Sequence, residues 1–309
     1  MSKNITSTLR KLKPFMLPIA IALGIIFHNI AGRLTPLSPI LIFVMLFITF
    51  CRINPRDIRV TRLSFYLILI QIAGAMGAFY LISPLSLTVA QGVMICIYCP
   101  TATAAPVITG MLGGSIPKLV TYSLVSNLAV AVTAPFLLPI AGGSTGELTV
   151  GEMIAVFHRI AVQVVPLIVA PLALAFIVKA LFPKVHHEIG THQSLGFYTW
   201  AISLLIVVGS AVSFVMSEPW SRVPEMIVIA LAAGVACGIQ FYAGRRIGRA
   251  CGDRIAGAQG LGQKNTVLAI WLALAYLDPI ASVGPAAYIA WQNTINSLQI
   301  YYHDRRALG

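Results

Sequence analysis

Apolar residues along this chain occur in long runs that short polar segments separate. The runs approach the roughly 20 residues that an α-helix needs to cross a bilayer. We predict ten membrane spans, at approximately residues 14–30, 38–53, 63–82, 87–112, 118–140, 153–178, 195–215, 223–244, 255–277 and 279–302. The pattern therefore predicts an all-α polytopic membrane protein.

Ten spans divide into two sets of five, and an odd number per half turns the second half upside down relative to the first. We predict a first inverted repeat at residues 1–141 (helices 1–5), an outer linker at 142–152, and a second repeat at 153–309 (helices 6–10). The linker includes Gly142-Gly-Ser-Thr-Gly146, which is typical of a flexible connection.

The fourth span of each half is interrupted by small, polar or helix-breaking residues. The interruptions lie at 99–106 and at 257–265. Interrupted helices at matching positions are typical of a transport site, because the freed backbone amides and carbonyls can bind ions or substrate. We therefore place the candidate site where these two segments meet.

Composition and charge support the membrane prediction and add an orientation. The chain is 58% hydrophobic and 10% charged, with a mean hydropathy of +0.88. Of its 21 lysines and arginines, only Arg33 and Arg222 fall in predicted outer connections, and Arg159 and Lys264 fall within spans. The rest fall in predicted inner segments: Lys3, Arg10, Lys11, Lys13, Arg52, Arg56, Arg59, Arg62, Lys118, Lys179, Lys184, Arg245, Arg246, Arg249, Arg254, Arg305 and Arg306. This asymmetry predicts a multi-pass protein of the cell inner (plasma) membrane with both termini cytoplasmic.

Several functional classes lack support in the sequence. The basic residues form no extended patch with aromatics, so we expect no nucleic-acid partner. No Ser-His or Cys-His pair has a suggestive spacing and no phosphate-binding loop of the Gly-x-x-x-x-Gly-Lys type occurs, so we expect neither enzymatic activity nor a cofactor. The five cysteines lack metal-ligand spacing, and we expect free thiols and no metal.

Lys264 is the most informative single residue. It lies in Gly257-Ala-Gln-Gly-Leu-Gly-Gln-Lys-Asn265, directly before an apolar run, and a cation inside a membrane is rarely without function. Every Asp and Glu falls in or beside a polar connection, so no carboxylate at mid-membrane depth is available to neutralise it. Three hypotheses follow: a structural tether, a docking charge for an anionic substrate, or a titrating group that couples transport to protons.

Short segments along nearly the whole chain are similar to a known family. They include Val44-Met-Leu-Phe-Ile-Thr-Phe50, Cys99-Pro-Thr-Ala-Thr-Ala104, Leu261-Gly-Gln-Lys-Asn-Thr266 and Trp291-Gln-Asn293. In order and spacing they resemble the bile acid:sodium symporter family. The resemblance implies a panel domain (spans 1, 2, 6 and 7), a core domain (spans 3–5 and 8–10), broken helices 4 and 9 that cross within the core, and an organic anion carried by alternating access.

The departures from that family concern its sodium ligands. Sodium-coupled relatives carry Ser-Asn where this chain has Ala105-Pro106, and a glutamate where it has Gly260. Sodium requires several oxygen ligands and usually a carboxylate, by the logic of other hard cations. We therefore expect transport of a small organic anion without sodium coupling, with Lys264 replacing a sodium ion. A sodium- or proton-coupled symporter of the same fold and a non-transporting membrane sensor remain alternatives.

The resemblance and the interrupted spans together define the candidate residues. The predicted substrate or coupling site comprises Thr101, Thr103, Ala105, Pro106, Thr109, Gly260, Gln263, Lys264, Asn265, Thr266 and Asn293. A possible ion site comprises Gln71, Ser123, Asn127 and Gln259. The expected partners are the organic anion and the lipid bilayer.

Overall fold

A computed structural model describes residues 16–51, 59–102, 105–143, 150–191 and 193–308. Across these residues the regular elements are helices, and no β-strand occurs. The helices of the first half are α1 (Met16–Ile26), α2 (His28–Arg33), α3 (Ser38–Phe50), α4 (Arg62–Ile82), α5 (Leu87–Tyr98), α6 (Ala105–Met111) and α7 (Ile116–Ala141). Those of the second half are α8 (Val150–Leu181), α9 (Pro183–Thr191), α10 (Gln193–Ser217), α11 (Val223–Ala250), α12 (Arg254–Gly262), α13 (Thr266–Tyr276) and α14 (Val283–Leu308). Short 3-10 turns occur at Thr35–Leu37, Trp220–Arg222 and Pro279–Ser282.

The helices have the length and surface of membrane-embedded elements. Four segments in the described part of the chain are long and apolar enough to cross a bilayer: Arg62–Ile82, Ile116–Ala141, Ile154–Leu181 and Trp220–Ala250. Along α11, Leu231, Val235 and Ile239 follow a helical repeat and are mostly exposed on the outside of the protein. Such an apolar exterior fits lipid tails. The prediction of an all-α membrane protein is confirmed at this level.

Polar residues fix where several helices begin. The side chains of Thr61, Ser86, Ser115, Asp253 and Asn265 each accept a hydrogen bond from a backbone N–H in the first turn of the following helix. These N-caps satisfy amides that the helix itself leaves unpaired. Gly113 and Gly252 adopt positive φ in the turns that precede α7 and α12.

The helices form two packed groups. In one, α10 packs on α1, α2 and α3, and α3 packs on α8. In the other, α4 packs on α5, α12 packs on α11, and α14 packs on α5 and α11. Contacts of α7 with α8 and of α10 with α13 join the groups. The candidate site lies within the second group.

The predicted spans differ from the helices at some boundaries. The first span is divided at Phe27, between α1 and α2. Helix α11 continues to Ala250, six residues past its predicted end at 244, so Arg245, Arg246 and Arg249 lie on the helix and not in a connection. Arginine has ordinary helix propensity, and nothing in this sequence ends the helix before Cys251 and Gly252.

Candidate functional site

Two short extended segments cross between interrupted helices. Residues 99–102 follow α5, and residues 263–265 join α12 to α13; we call these two segments the crossing. Thr101 and Lys264 pair as an antiparallel β-bridge. The amide of Ala102 donates to the carbonyl of Gln263 (3.1 Å), and that of Asn265 donates to the carbonyl of Pro100 (2.8 Å). The contact predicted between the two interrupted spans is therefore present.

Local sequence explains the first break. Pro100 has no N–H and excludes the helical conformation at Cys99, which adopts ψ 148°. Pro106 lies at the second position of α6, where a backbone N–H would have no carbonyl partner within the helix.

Both breaks are shorter than the sequence predicted. Residues 257–262 complete α12, and Ala105 and Pro106 already belong to α6. The glycines within 257–262 predict unwinding by sequence, but in the structure they allow close helix packing. A Cβ at Gly257 would lie 2.2 Å from the carbonyl oxygen of Gly244 on α11. Small residues in membrane helices often serve this purpose.

Side chains from other elements cap the carboxyl end of α5. Its last carbonyls have no partner within the helix. Gln240 donates to Cys96 O (3.4 Å), the Lys264 ammonium donates to Ile97 O (2.7 Å), and Gln71 donates to Tyr98 O (2.6 Å). Three successive carbonyls thus receive donors from α11, from the crossing and from α4.

Lys264 is buried, and its charge is compensated by the carboxyl end of a helix instead of a carboxylate. Its side chain is 1% exposed, and no described carboxylate forms an ion pair with it. The thiols of Cys96, Cys99 and Cys237 are its polarisable neighbours, and all three are free. The carboxyl end of a helix carries a partial negative charge, so α5 supplies the compensation that no Asp or Glu provides. This geometry favours the tether hypothesis over a docking charge, because the buried ammonium donates to a backbone carbonyl of α5.

The second interrupted helix is held by neutral groups. Thr101 donates its hydroxyl to the carbonyl of Gly260 (2.8 Å), and Tyr288 on α14 donates to the carbonyl of Gly262 (2.9 Å). The backbone amide of Lys264 donates to Gln292 Oε1 on the same helix α14 (2.8 Å). The crossing therefore carries a single cation, and that cation is directed at α5.

Comparison with family models and with curated proteins finds no match to this chain. The assignment of the site rests on its geometry.

Two of the predicted ion ligands, Gln71 and Asn127, make hydrogen bonds within the protein. Gln71 Oε1 already accepts hydrogen bonds from Tyr122 (2.8 Å) and Ser126 (2.7 Å), which use both of its lone pairs. Asn127 on α7 donates to the carbonyl of Ser123 in its own helix. Gln71 does reach the crossing, but as a donor to a carbonyl and not as a ligand.

Packing around Gly260 leaves no free space for a larger side chain. A Cβ at this position would lie 2.9 Å from a ring carbon of Tyr122 and 3.0 Å from a methyl of Leu67. Real Cβ atoms essentially never approach a neighbour at under 3.0 Å. A glutamate at position 260 therefore requires the Tyr122 ring to move, which the sequence alone did not indicate.

Three glutamine side chains connect the crossing to the far end of α14. Gln263 donates to Gln259 Oε1, and Gln259 donates to Gln299 Oε1 (2.8 Å). Gln259 and Gln263 are buried, whereas Gln299 lines an open cavity. We call this series the amide chain.

The remaining candidates have varied positions. Ala105 and Thr266 begin α6 and α13 beside the crossing, and Thr109 on α6 is buried with no hydrogen-bond partner for its hydroxyl. Thr103 lies outside the described residues. Asn293 donates to Ile289 O of its own helix (2.7 Å).

Sequence reasoning missed Gln292, Gln240 and Tyr288. The neighbouring Gln292 contacts the crossing in place of Asn293, because consecutive helical residues point about 100° apart. A usable signal existed: Tyr288, Gln292 and Gln299 recur at helical spacing on one face of α14, and polar residues inside a span face the protein interior.

The crossing is closed in this conformation. Thr101, Gln263, Lys264, Asn265 and Thr266 are each at most 5% exposed. The sequence predicts a site where the two interrupted segments meet, with backbone groups free to bind ions or substrate. Instead, the short breaks and the side chains of α4, α7 and α14 leave these groups enclosed.

Proposed function

We propose that this chain is a secondary transporter of a small organic anion that works by alternating access without sodium coupling. The observation that carries the proposal is the crossing of two interrupted helices in which the Lys264 ammonium caps the carboxyl end of α5. Interrupted helices that meet in this way are the arrangement that transporters use to bind substrate and ions with backbone groups.

The proposal includes the ten-span architecture. Each predicted span overlaps one helix or one pair of consecutive helices, and the interrupted pairs α5–α6 and α12–α13 hold corresponding positions in residues 1–141 and 153–309. The packed group of α1, α2, α3, α8 and α10 corresponds to the panel domain of the bile acid:sodium symporter family, and the other group corresponds to its core domain. Movement of one group against the other would open the crossing alternately to the two sides of the membrane.

An anionic substrate fits the charges at the crossing. No described carboxylate contacts it, and α13 begins at Thr266, so the partial positive charge of a helix N-terminus lies there. The amide Nδ2 of Asn265 is buried and has no hydrogen-bond partner. A carboxylate or sulfonate oxygen of a substrate would satisfy that donor once the crossing opens.

Lys264 takes the structural role of a coupling ion in this proposal. A bound sodium ion would hold carbonyls of broken helices together, and an ammonium tethered to the chain does so without leaving. The two hydrogen bonds to Gln71 Oε1 and the Tyr122 ring at Gly260 occupy the surroundings that an ion would need. Transport then runs without a sodium requirement.

The first test compares sodium with potassium. Purified protein is screened against small organic anions by thermal shift in NaCl and in KCl of equal ionic strength, and each anion that binds is tested for counterflow in proteoliposomes. We expect equal affinity and equal flux in both salts. Flux that rises steeply with sodium would identify a sodium-coupled symporter, and flux that follows a pH gradient would identify proton coupling. Binding without flux would identify a sensor.

A second test concerns Asn265. Asn265→Asp keeps the oxygen that caps α13 but replaces the unpaired amide donor with a negative charge. We expect this variant to fold and to lose at least about tenfold in affinity for any anion that the wild type binds, because a donor to a charged group is worth about 1.5–3 kcal/mol. Asn265→Ser, which keeps a cap and adds no charge, is the matched control and should lose less. Unchanged affinity in Asn265→Asp would remove Asn265 from the site.

A further inference from the structure

A separate cavity opens at the opposite end of the amide chain from the crossing. Its volume is about 1190 Å³, and its wall includes the turns before α7 and α12 and the last turns of α14. Glycines 113, 114 and 252 form part of that wall, so backbone groups are accessible in it. No residue of the crossing lines this cavity.

Cations from three different segments converge on the cavity. Lys118 lies in the first turn of α7, Arg245 lies near the end of α11, and Arg254 is the first residue of α12. Among the residues that the structure describes, the wall also contains His303 and one carboxylate, Asp253. The oxygens of Asp253 accept three backbone hydrogen bonds, from Ser115 (2.8 Å), Ile255 (3.1 Å) and Ala256 (2.8 Å), which fixes this carboxylate as a cap of the turn.

Helix stability does not account for two of these cations. A positive charge in the first turn of a helix opposes the macrodipole, yet Lys118 and Arg254 both occupy first turns. The preference for cations on the cytoplasmic side explains why they lie in this part of the chain, but it is satisfied by any position in a short loop. Neither effect explains why Lys118 and Arg254 line the same cavity.

We propose that this cavity is a binding site for a small soluble dianion that carries phosphate or carboxylate groups. The partial positive charges of the α7 and α12 N-termini add to those of Lys118, Arg245 and Arg254, so the field within the cavity attracts negative charge. The volume accommodates an ordinary metabolite-sized ligand. The site goes beyond the proposed transport function and stands without it, because its residues and those of the crossing are different.

Inorganic phosphate and succinate are suitable probes. Detergent-purified, delipidated full-length protein is titrated with each anion against chloride of equal ionic strength, and both the Tm and the calorimetric Kd are measured. We expect either anion near saturation to raise the Tm by about 2–4 °C. Lys118→Gln and Arg254→Gln should each weaken the Kd by about tenfold.

Arg249→Gln is the matched control, because Arg249 is exposed on the same helix as Arg245 and does not line the cavity. Its Kd should equal that of the wild type. Equal Kd in all variants, or no Tm shift beyond that of chloride, would overturn the proposal. A Tm shift seen only with phosphatidylglycerol vesicles, and not with the soluble anions, would also overturn it, since the occupant would then be a lipid headgroup. Arg254→Gln removes a charge that opposes the α12 dipole, so folding of this variant is not at risk.

Discussion

At the scale of single residues, Lys264 shows how a buried cation can be compensated without a carboxylate. Its Nζ lies 2.7 Å from Ile97 O at the carboxyl end of α5, between carbonyls that Gln240 and Gln71 cap. Side-chain amides and one ammonium thus replace the intrahelical donors that the break at Pro100 removes. The positive charge of Lys264, which has no carboxylate partner by sequence, is compensated by backbone dipoles.

This role predicts an order of stability among Lys264 variants. Lys264→Met removes the donor and leaves the carbonyl of Ile97 buried and unsatisfied, which should cost about 1–3 kcal/mol of unfolding free energy. Lys264→Gln keeps a shorter donor and should lose less. Thermal unfolding of purified protein measures both. Lys184→Met, at an exposed position on α9, should leave the Tm unchanged. If Lys264→Met is as stable as the wild type, the cap contributes nothing and the residue has no structural role.

At the scale of helices, the interrupted elements depend on close packing by glycine. On α11, a Cβ at Gly244 would lie 2.2 Å from the carbonyl oxygen of Gly257, and one at Gly248 would lie 2.3 Å from the carbonyl oxygen of Asp253. Backbone atoms cannot relieve such an overlap by a change of rotamer, as a flexible side chain can. The position of α12, and with it the crossing, therefore depends on the absence of side chains along this face of α11.

Two glycines of α11 provide a matched pair for testing this dependence. Gly244→Ala forces α12 away and should destabilise the protein by about 1–3 kcal/mol, the usual cost of overpacking. At Gly238 the new methyl would meet no atom within 4 Å beyond the neighbouring backbone of its own helix, and Gly238→Ala should stabilise the helix by about 0.5–1 kcal/mol through propensity alone. Urea or thermal unfolding of the two variants should give shifts of opposite sign. Shifts of the same sign would contradict the packing argument.

The sequence predicted which helices are interrupted, but not how far. Pro100 marks a break by itself, because its chemistry forbids helix locally. Glycine carries no such information: in 257–262 it permits either unwinding or close contact, and only the approach of α11 decides between them. The sequence also could not tell that Gln292, and not its neighbour Asn293, contacts the crossing. That depends on the rotation of α14 about its axis, which packing across the whole group sets.

At the scale of the molecule, the predicted apolar runs coincide with helical segments, because membrane helices are specified by length and composition more than by distant contacts. The partners of the site residues could not be predicted in this way. Thr101, Lys264 and Gln71 were found as polar residues in apolar surroundings, whereas their partners are backbone carbonyls that any sequence contains. Tyr288 and Tyr122 were missed because aromatic residues are common in apolar spans.

The division of cations between connections predicts the orientation of the whole chain. With ten spans and the inner segments holding most Lys and Arg residues, both termini should face the cytoplasm. A reporter fused after Gly309 that is active only in the cytoplasm should be active. A second fusion within the segment 144–149, on the predicted outer side, should be inactive. An active outer fusion or a silent C-terminal fusion would require a different number of spans.

The two hydrogen bonds of the amide chain have the same donor-to-acceptor direction. Gln263 donates to Gln259, and Gln259 donates to Gln299, so rotating the amide of Gln299 would set two NH₂ groups face to face. A neighbour can escape that repulsion only by rotating as well, and the reversal would then pass along the series to the residue beside Lys264. A double-mutant cycle between positions 299 and 264 would measure this coupling. Three side-chain amides are therefore linked, so a change of hydrogen bonding at Gln299 in the open cavity would reach the enclosed crossing.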